Sequence, residues 1–326
     1  MMPAALYRSA RLLAGALFSL LVLSGCASMV PQTMALRDAW PEGVPQRYEM
    51  AGVPFFPQED YQCGPAALAT AMVSAGVKVT PEELVKHVYI PDRQGSLQAE
   101  MLAAPRQYGL VGYQLAPSYD DLLREVAAGN PVVILQDIGV GPLVKWHYAV
   151  VVGFDYPAGE LYLRSGQKQR EAMPFTYLEH TWKKSAQWAI VALPPGRIPV
   201  TATEPAYTAA VAAMERVGDK GAVTKAYAAT LERWPGNLGA SVGLANQYYA
   251  KGDLEQAEAV LRRASDKHPN SVVLLNNLAQ TVSDQGRDAE ALTLIEKAGT
   301  PEPPFAEAVA ETRALIQKRL AGGARK

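Results

Sequence analysis

The chain has 326 residues, of which 49% are apolar and 19% are charged, and its formal net charge is −1. This mixture can build a globular core, and at about 150 residues per domain the length suggests two domains. The near-neutral charge, without any run of lysine or arginine, argues against a nucleic-acid partner. The sequence contains no phosphate-binding loop, dinucleotide fingerprint or metal-ligand motif, so we expect no cofactor and no metal.

The first residues have the pattern of an export signal. Two arginines precede an apolar run over 12–23, and a helix of that length is too short to cross a hydrocarbon core of about 30 Å. The run ends in Leu-Ser-Gly-Cys, which resembles the bacterial lipobox, where the cysteine is acylated and becomes the first residue. We therefore predict a lipoprotein signal peptide over 1–25, lipidation of Cys26 and a tether over 26–48.

Acylation of Cys26 would hold the protein at a membrane without a spanning helix, because two or three acyl chains give stable anchoring. The next residue is Ala27 rather than aspartate, which in Gram-negative lipoproteins implies sorting to the outer membrane. We therefore expect a protein of the bacterial cell envelope, anchored by its lipid in the outer membrane and facing the periplasm.

Residues 49–196 predict a domain in which helices come first and an antiparallel sheet follows. The helical patterns lie at 62–77, 81–87, 96–108 and 120–128, and the strand patterns lie at 131–135, 147–154, 161–165 and 188–193. This order of elements is typical of an α+β domain.

From residue 204 the sequence repeats with a period of 34 residues. The positions that share this period are Gly218, Gly252 and Gly286, then Pro235 and Pro269, then Ala257 and Ala291. A 34-residue period of this kind indicates tetratricopeptide repeats, each a pair of helices. We predict an all-α repeat domain over 204–320 that ends in a capping helix over 305–320.

Cys63 is the cysteine that remains once Cys26 is assigned to the signal. A lone thiol in an exported protein is either buried and inert or kept for its reactivity. Cys63 lies where an extended segment meets a predicted helix, and the free N–H groups and positive dipole end of a helix favour the thiolate. The sequence therefore predicts a nucleophile, which requires a base.

Of the four histidines, His147 is the best candidate for that base. His268 lies at a repeat junction, His87 near the end of a charged helix, and His180 in a connection, where polar residues are ordinary. His147 opens an apolar strand and has one definite face beside a core, where an unpaired imidazole would be costly.

Gln58 precedes Cys63 by five residues and offers an amide donor. Its NH₂ group and the backbone N–H of Cys63 together would form an oxyanion hole for a tetrahedral intermediate. Gln62 is a competitor, but its position next to Cys63 makes it harder to aim at the same oxygen.

Four stretches resemble, in chain order, the bacteriocin-processing, double-glycine-leader cysteine peptidase family. They are VPFFPQEDYQCGPAAL (53–68), GSLQAEMLAAPRQYGL (95–110), PVVIL (131–135) and WHYAVVVGFD (146–155). The resemblance implies a papain-like fold with Cys63 as nucleophile, His147 as base and Gln58 lining the oxyanion hole. Within that family, the chain resembles the free-standing, exported, lipoprotein-type relatives that carry a repeat tail.

The sequence departs from that family at two places. The glutamine is five residues upstream of the cysteine instead of six. The aspartate that usually orients the histidine is missing, because its position lies in Arg164-Ser165-Gly166-Gln167. Asp155 is too far along the strand from His147 to replace it. We therefore predict that Ser165 or Gln167 orients the imidazole without supplying a charge.

Three functions follow from these observations. The first is a lipid-anchored cysteine peptidase that processes exported peptides or proteins, with the repeats binding the substrate or a protein partner. The second is a catalytically weak or inactive peptidase-fold protein that binds or scaffolds. The third is an acyl or peptidyl transferase that uses the same thioester chemistry with an amine in place of water.

Overall fold

The computed structural model describes residues 30–58 and 62–323. The predicted signal peptide and Cys26 lie outside the described residues. The chain divides into two compact units. The first contains the described residues up to Ala104 together with Gln114–Ala192 and Pro199–Thr201, and the second contains Pro105–Tyr113, Leu193–Ile198 and the chain from Ala202 onward.

The segment before the sheet is folded along much of the predicted tether. Helix α1 spans Pro31–Asp38, and strand β1 spans Arg47–Glu49. The carboxylate of Glu179 accepts hydrogen bonds from the backbone N–H of Gln32 at 2.8 Å and of Thr33 at 2.7 Å. Because a carboxylate satisfies the free N–H groups of a helix start and interacts well with its dipole, Glu179 fixes α1 on the first unit.

The remaining helices of residues 49–196 come in chain order between the strands. They are α2 (Cys63–Ser74), α3 (Pro81–Val88), α4 (Gln98–Gln107), α5 (Tyr119–Ala127) and α6 (Phe175–Trp182). Small and apolar side chains let α2 pack closely, and every residue from Gly64 to Met72 is buried. Pro65 lies in its first turn, where the missing N–H costs nothing.

One sheet of seven strands forms the scaffold in the described part of the chain. After β1 its members are β4 (Val111–Gln114), β5 (Val132–Asp137), β6 (Trp146–Asp155), β7 (Glu160–Ser165), β8 (Lys168–Pro174) and β9 (Ala189–Leu193). The order is β4-β9-β5-β6-β7-β8, with β1 also paired to β6, and a separate small ladder joins β2 (Tyr89–Ile90) to β3 (Gly95–Ser96).

The sheet is antiparallel around the strand that carries His147. In the β5–β6 pair, Gln136 lies opposite His147 and Asp137 opposite Trp146. The β6–β7 hairpin has an irregular register between Val151 and Gly153. Because a bulge changes which residues face one another, this irregularity decides which β7 residue approaches the start of β6.

The second unit contains helix pairs. They are α7 (Glu204–Ala212) with α8 (Lys220–Arg233), α9 (Leu238–Ala250) with α10 (Leu254–Lys267), and α11 (Val272–Asp284) with α12 (Asp288–Lys297), followed by α13 (Ala306–Gly323). Gly252 and Gly286 adopt φ of 80° and 81°, the left-handed conformation that glycine provides at a turn between helices. The recurring glycines thus mark the turn within each pair.

Candidate active site

Cys63 is the first residue of α2 and is partly exposed. Burial raises the pKa of its thiol, while the backbone N–H groups of Tyr148, Gly64 and Cys63 itself, and then the charge of Lys145, act in the opposite direction. The donors expected at a helix start are therefore present, but burial has the larger effect. The expected bias toward thiolate is wrong for the resting site, where the thiol is protonated at neutral pH.

The approach of α2 to the β3 strand is unusually close. A Cβ atom placed on Gly64 would lie 2.3 Å from Oγ and 2.7 Å from Cβ of Ser96. Only glycine fits at that point, because real Cβ atoms do not approach other heavy atoms so closely. Gly64 therefore sets how near the Cys63 end of the helix comes to the segment that carries Ser96.

His147 lies near the start of β6, and a side chain of the neighbouring strand β7 contacts its ring. Its Nε2 atom is 3.0 Å from Oγ of Ser165, a side chain that is only 6% exposed. Nδ1 has no hydrogen-bond partner among the described residues. With one ring nitrogen fixed by Ser165, the other is left for the proton of a nucleophile.

The environment of His147 favours the neutral ring. Burial lowers its pKa to about 4, with the charge of Glu171 raising it and that of Lys145 lowering it. Burial excludes the water that would solvate an imidazolium ion, so the proton binds less tightly. At pH 7 the ring is therefore neutral and able to accept a proton.

Gln58 is buried, with 9% of its surface exposed, and is bonded to the turn after β7. Its Oε1 accepts from the N–H of Gly166 at 3.1 Å, and its backbone N–H donates to the carbonyl of Gly166 at 3.0 Å. Its Nε2 is 3.5 Å from the carbonyl oxygen of Tyr148, at the outer limit of a hydrogen bond. The amide oxygen of Gln58 is therefore fixed, while its NH₂ group is only weakly bonded and remains available as a hydrogen-bond donor.

The site residues predicted from the sequence lie around residues 147 and 148 of β6. The N–H of Tyr148 faces the sulfur of Cys63, and the carbonyl of Tyr148 faces the amide of Gln58. His147 directly precedes Tyr148, and Ser165 holds its ring. The structure therefore places Cys63, His147, Gln58 and Ser165 around one stretch of β6.

The structure separates the two candidates for the orienting residue. Ser165 contacts the imidazole of His147. Gln167 instead donates from Nε2 to the carbonyl oxygen of Gln58 at 2.6 Å and so helps to hold the backbone of Gln58. Asp155 pairs with Arg47 at 3.0 Å.

The other histidines lie elsewhere. His180 belongs to helix α6, so the expectation that it lies in a connection is wrong. His268 contacts the carbonyl of Gly236 at 2.7 Å at the end of α10, and His87 lies in the last turn of α3.

Three polar residues near the thiol were not singled out from the sequence. The hydroxyl of Tyr148 donates to the carbonyl of Ser96 at 3.2 Å. Burial raises the pKa of this hydroxyl, and the charges of Cys63 and Glu100 raise it further. Oγ of Ser96 and Oε2 of Glu100 are buried and find no hydrogen-bond partner in the part of the chain that the structure describes. Orphaned atoms of this kind are rare and expensive. Their signal in the sequence was weak, since serine and glutamate at a helix start usually serve as caps.

A thiol at the start of a helix, beside a strand that carries a neutral histidine, is an arrangement that thiol catalysis can use. Comparison with known families agrees. Residues 50–190 match the model described as the Peptidase_C39 like family, and residues 206–275 and 249–316 match the tetratricopeptide repeat. The first match identifies a C39-like peptidase domain, the helices that follow are tetratricopeptide repeats, and the predicted fold class is confirmed.

A solved structure described as a C39-like peptidase from Bacillus anthracis is 18% identical, with 45% of this chain and 97% of that chain covered and a TM-score of 0.39. No curated protein matches the chain. Within residues 30–58 and 62–323, no cluster of three or more histidine, cysteine, aspartate or glutamate side chains could hold a metal ion. Over the same ranges, each helix is too short or too polar to span a bilayer.

Proposed function

We propose that the protein is a cysteine peptidase that processes exported peptides or proteins. The observation that carries this proposal is the convergence on residues 147 and 148. There the sulfur of Cys63 meets the N–H of Tyr148, and the adjacent imidazole is held by Ser165. A nucleophile, a base and a group that positions the base are the parts that covalent hydrolysis of an amide requires.

The reaction starts from a neutral pair. The pKa of Cys63 is raised and that of His147 is lowered to about 4, so thiol and imidazole are both uncharged at neutral pH. As the sulfur attacks the peptide carbonyl, the thiol proton moves to Nδ1 of His147. The imidazolium then gives this proton to the leaving amine, and water hydrolyses the resulting thioester with the ring again acting as base.

The negative charge of the tetrahedral intermediate needs donors close to its oxygen. The backbone N–H of Cys63 is one, since it opens α2 and has no partner within the helix. The NH₂ group of Gln58 is the other, because among the described residues it makes only the 3.5 Å approach to the carbonyl of Tyr148. Donors fixed before the reaction stabilise the developing charge without reorganising.

The test is hydrolysis of a mixed library of internally quenched peptides by the full-length chain. We expect Cys63→Ala to abolish cleavage, and His147→Ala to reduce it by about a thousandfold. His180→Ala is the matched control, because it removes a histidine from the same unit away from the thiol. Cleavage that survives in Cys63→Ala would refute the proposal.

The same experiment separates the transferase alternative. Addition of a free amine, such as glycine amide, would give an amidated product of higher mass if the thioester is resolved by an amine. We expect the hydrolysed product to dominate. A preference for cleavage after Gly-Gly, which the double-glycine resemblance implies, is read from the same product masses.

We further propose that the enzyme works in the bacterial envelope, held at the outer membrane by a lipid on Cys26 and facing the periplasm. The lipobox-like sequence supports this proposal. The repeats would bind the substrate or a protein partner, since stacked helical repeats present extended concave surfaces.

A binding protein without catalysis is the second candidate. The observation that favours it is the hydroxyl of Ser165 where a carboxylate would stabilise the imidazolium, together with the raised pKa of Cys63. Under this alternative the cleavage assay stays at background in the wild type, while the protein still retains peptides from the library on a column.

A further inference from the structure

The loop between β5 and β6 exposes an unusual amount of apolar surface. We call residues 138–146, that is, the loop together with Trp146 at the start of β6, the apolar loop. The exposed fractions are 81% for Val140, 74% for Leu143, 61% for Val144 and 49% for Trp146. Single exposed apolar residues need no explanation, but a contiguous group of large ones marks an interaction site.

A buried charge holds this loop in shape. Asp137 is 3% exposed, and its Oδ1 accepts from the N–H of Gly139 at 2.9 Å and of Lys145 at 2.8 Å. Its Oδ2 accepts from Nζ of Lys184 at 2.8 Å, and this bond is the largest cause that lowers the pKa of Asp137 to about 2. One carboxylate thus joins both ends of the loop to a lysine that lies just after α6.

The backbone of the loop is also closed on itself. Ile138 donates to the carbonyl of Lys145 at 2.9 Å, and Leu143 donates to that of Val140 at 3.2 Å. A Cβ on Gly139 would lie only 1.7 Å from the carbonyl oxygen of Leu143, so only glycine allows this crossing. The loop backbone is therefore ordered and presents the apolar side chains to solvent. Binding of a partner then costs little further conformational entropy.

The apolar loop is continuous with the candidate active site. Trp146 is followed directly by His147, and the charge of Lys145 acts on both Cys63 and His147. Between Asp137 and Asp155 the sequence has no acidic residue. A substrate polypeptide bound at the catalytic groups would therefore lie close to this apolar surface.

We propose that the apolar loop is the specificity surface of the peptidase site, and that it binds apolar side chains of an extended polypeptide close to the bond that is cleaved. This inference rests on the proposed function. A lipid bilayer fits the site less well, because a bilayer that covered Val144 and Trp146 would also cover the adjacent His147 and close the site to a polypeptide.

The test measures peptide binding without catalysis. The full-length chain carries Cys63→Ala to prevent cleavage and Cys26→Ala to prevent acylation. The probes are two fluorescein-labelled ten-residue peptides that differ only in having three leucines or three serines in the middle. We expect the leucine peptide to bind about tenfold more tightly, and Leu143→Ser with Val144→Ser to abolish that preference.

The matched control is Val217→Ser, which removes an apolar side chain that is 54% exposed in the repeat unit. It should leave the preference unchanged. Because the substituted side chains are exposed, the loop variant should keep the wild-type melting temperature, and a circular dichroism melt checks this.

Equal binding of both peptides, or a leucine preference that survives in the loop variant, would overturn the inference. Vesicles of phosphatidylethanolamine and phosphatidylglycerol form a third arm. If they bind the chain only when Leu143 and Val144 are present, and no peptide preference exists, the loop belongs to a bilayer and the inference is wrong. Binding with no cleavage by the wild type would refute the peptidase proposal alone.

Discussion

Ser165 contacts the imidazole of His147 with a hydroxyl, which can both donate and accept a hydrogen bond. If it accepts from Nε2–H, then Nδ1 carries the lone pair that takes the thiol proton. If it donates to Nε2, the proton sits on Nδ1 and the ring cannot act as the base. A carboxylate allows only the first arrangement and also stabilises the imidazolium. Ser165 therefore positions the ring but does not fix its protonation.

We predict that Ser165→Asp makes Cys63 more reactive. The added charge should raise the pKa of His147 by about 1–2 units and favour the thiolate–imidazolium pair. Alkylation of Cys63 by iodoacetamide at pH 7 should become about tenfold faster, whereas Ser165→Ala should slow it. The pH dependence of the rate measures the shift. An aspartate variant that folds and reacts no faster than the alanine variant would contradict this role.

The lowered pKa of His147 also makes a prediction about stability. The unfolded chain protonates this histidine near pH 6.5 and the folded chain only near pH 4, so the unfolded state binds more protons in between. Stability should therefore fall by about 2 kcal/mol between pH 7 and pH 5 on this account. Urea denaturation at both values measures it, and His147→Gln should remove that part of the loss. If His147→Gln loses as much stability between pH 7 and pH 5 as the wild type, this histidine is not the cause of the loss.

The sequence indicated Cys63 and His147 as candidate site residues, but it did not indicate the details of their surroundings. Cys63 and His147 stand out because a helix start and an apolar strand are visible in the pattern. Ser165 and Gln167 stayed open because the irregular register between Val151 and Gly153 has no clear sequence signal. The direction of the pKa shift of Cys63 depends on burial by distant segments, which the local sequence does not contain.

At the scale of elements, two of the strands that the sequence missed, β1 and β8, are polar. Strand β8 alternates little, and most of Lys168–Pro174 is exposed, so no period of two reveals it. Strand β1 has three residues, Arg47–Glu49, and is fixed only by its pairing with β6. Both strands owe their conformation to a neighbour, and that pairing is long-range information.

The packing of α2 gives the element-scale prediction. Gly64→Ala should destabilise the protein by about 1–3 kcal/mol, because the new methyl group overlaps Ser96. It should also slow alkylation of Cys63, since the helix start must shift. Thermal unfolding and the iodoacetamide rate measure the two effects.

Two further variants test the cause. Gly64→Ala combined with Ser96→Gly removes the atoms that overlap and should restore most of the stability. Gly322→Ala makes the same exchange in a helix where no heavy atom of the described residues lies within 4 Å of the new group, and should cost nothing. If the double variant is no more stable than Gly64→Ala, the contact with Ser96 is not what requires glycine.

At the scale of the whole molecule, periodicity and order of elements carried most of the prediction. The 34-residue period predicted the repeats, and helices followed by strands predicted the α+β domain, both of which the family matches support. What the pattern did not show is that Pro105–Tyr113 groups with the second unit, although it lies within the first predicted domain. Grouping of this kind depends on contacts between segments distant in sequence.

The proposed membrane anchor concerns the whole molecule, and Cys26 lies outside the described residues. We predict that Cys26→Ala moves the protein from the detergent phase to the aqueous phase on Triton X-114 partition of expressing bacteria, because each buried CH₂ of an acyl chain contributes about 0.8 kcal/mol to membrane binding. Cys63→Ala is the matched control and should stay in the detergent phase. Metabolic labelling with palmitate should be lost in the first variant and kept in the second. A Cys26→Ala protein that still partitions into detergent would show that another feature holds the chain at the membrane.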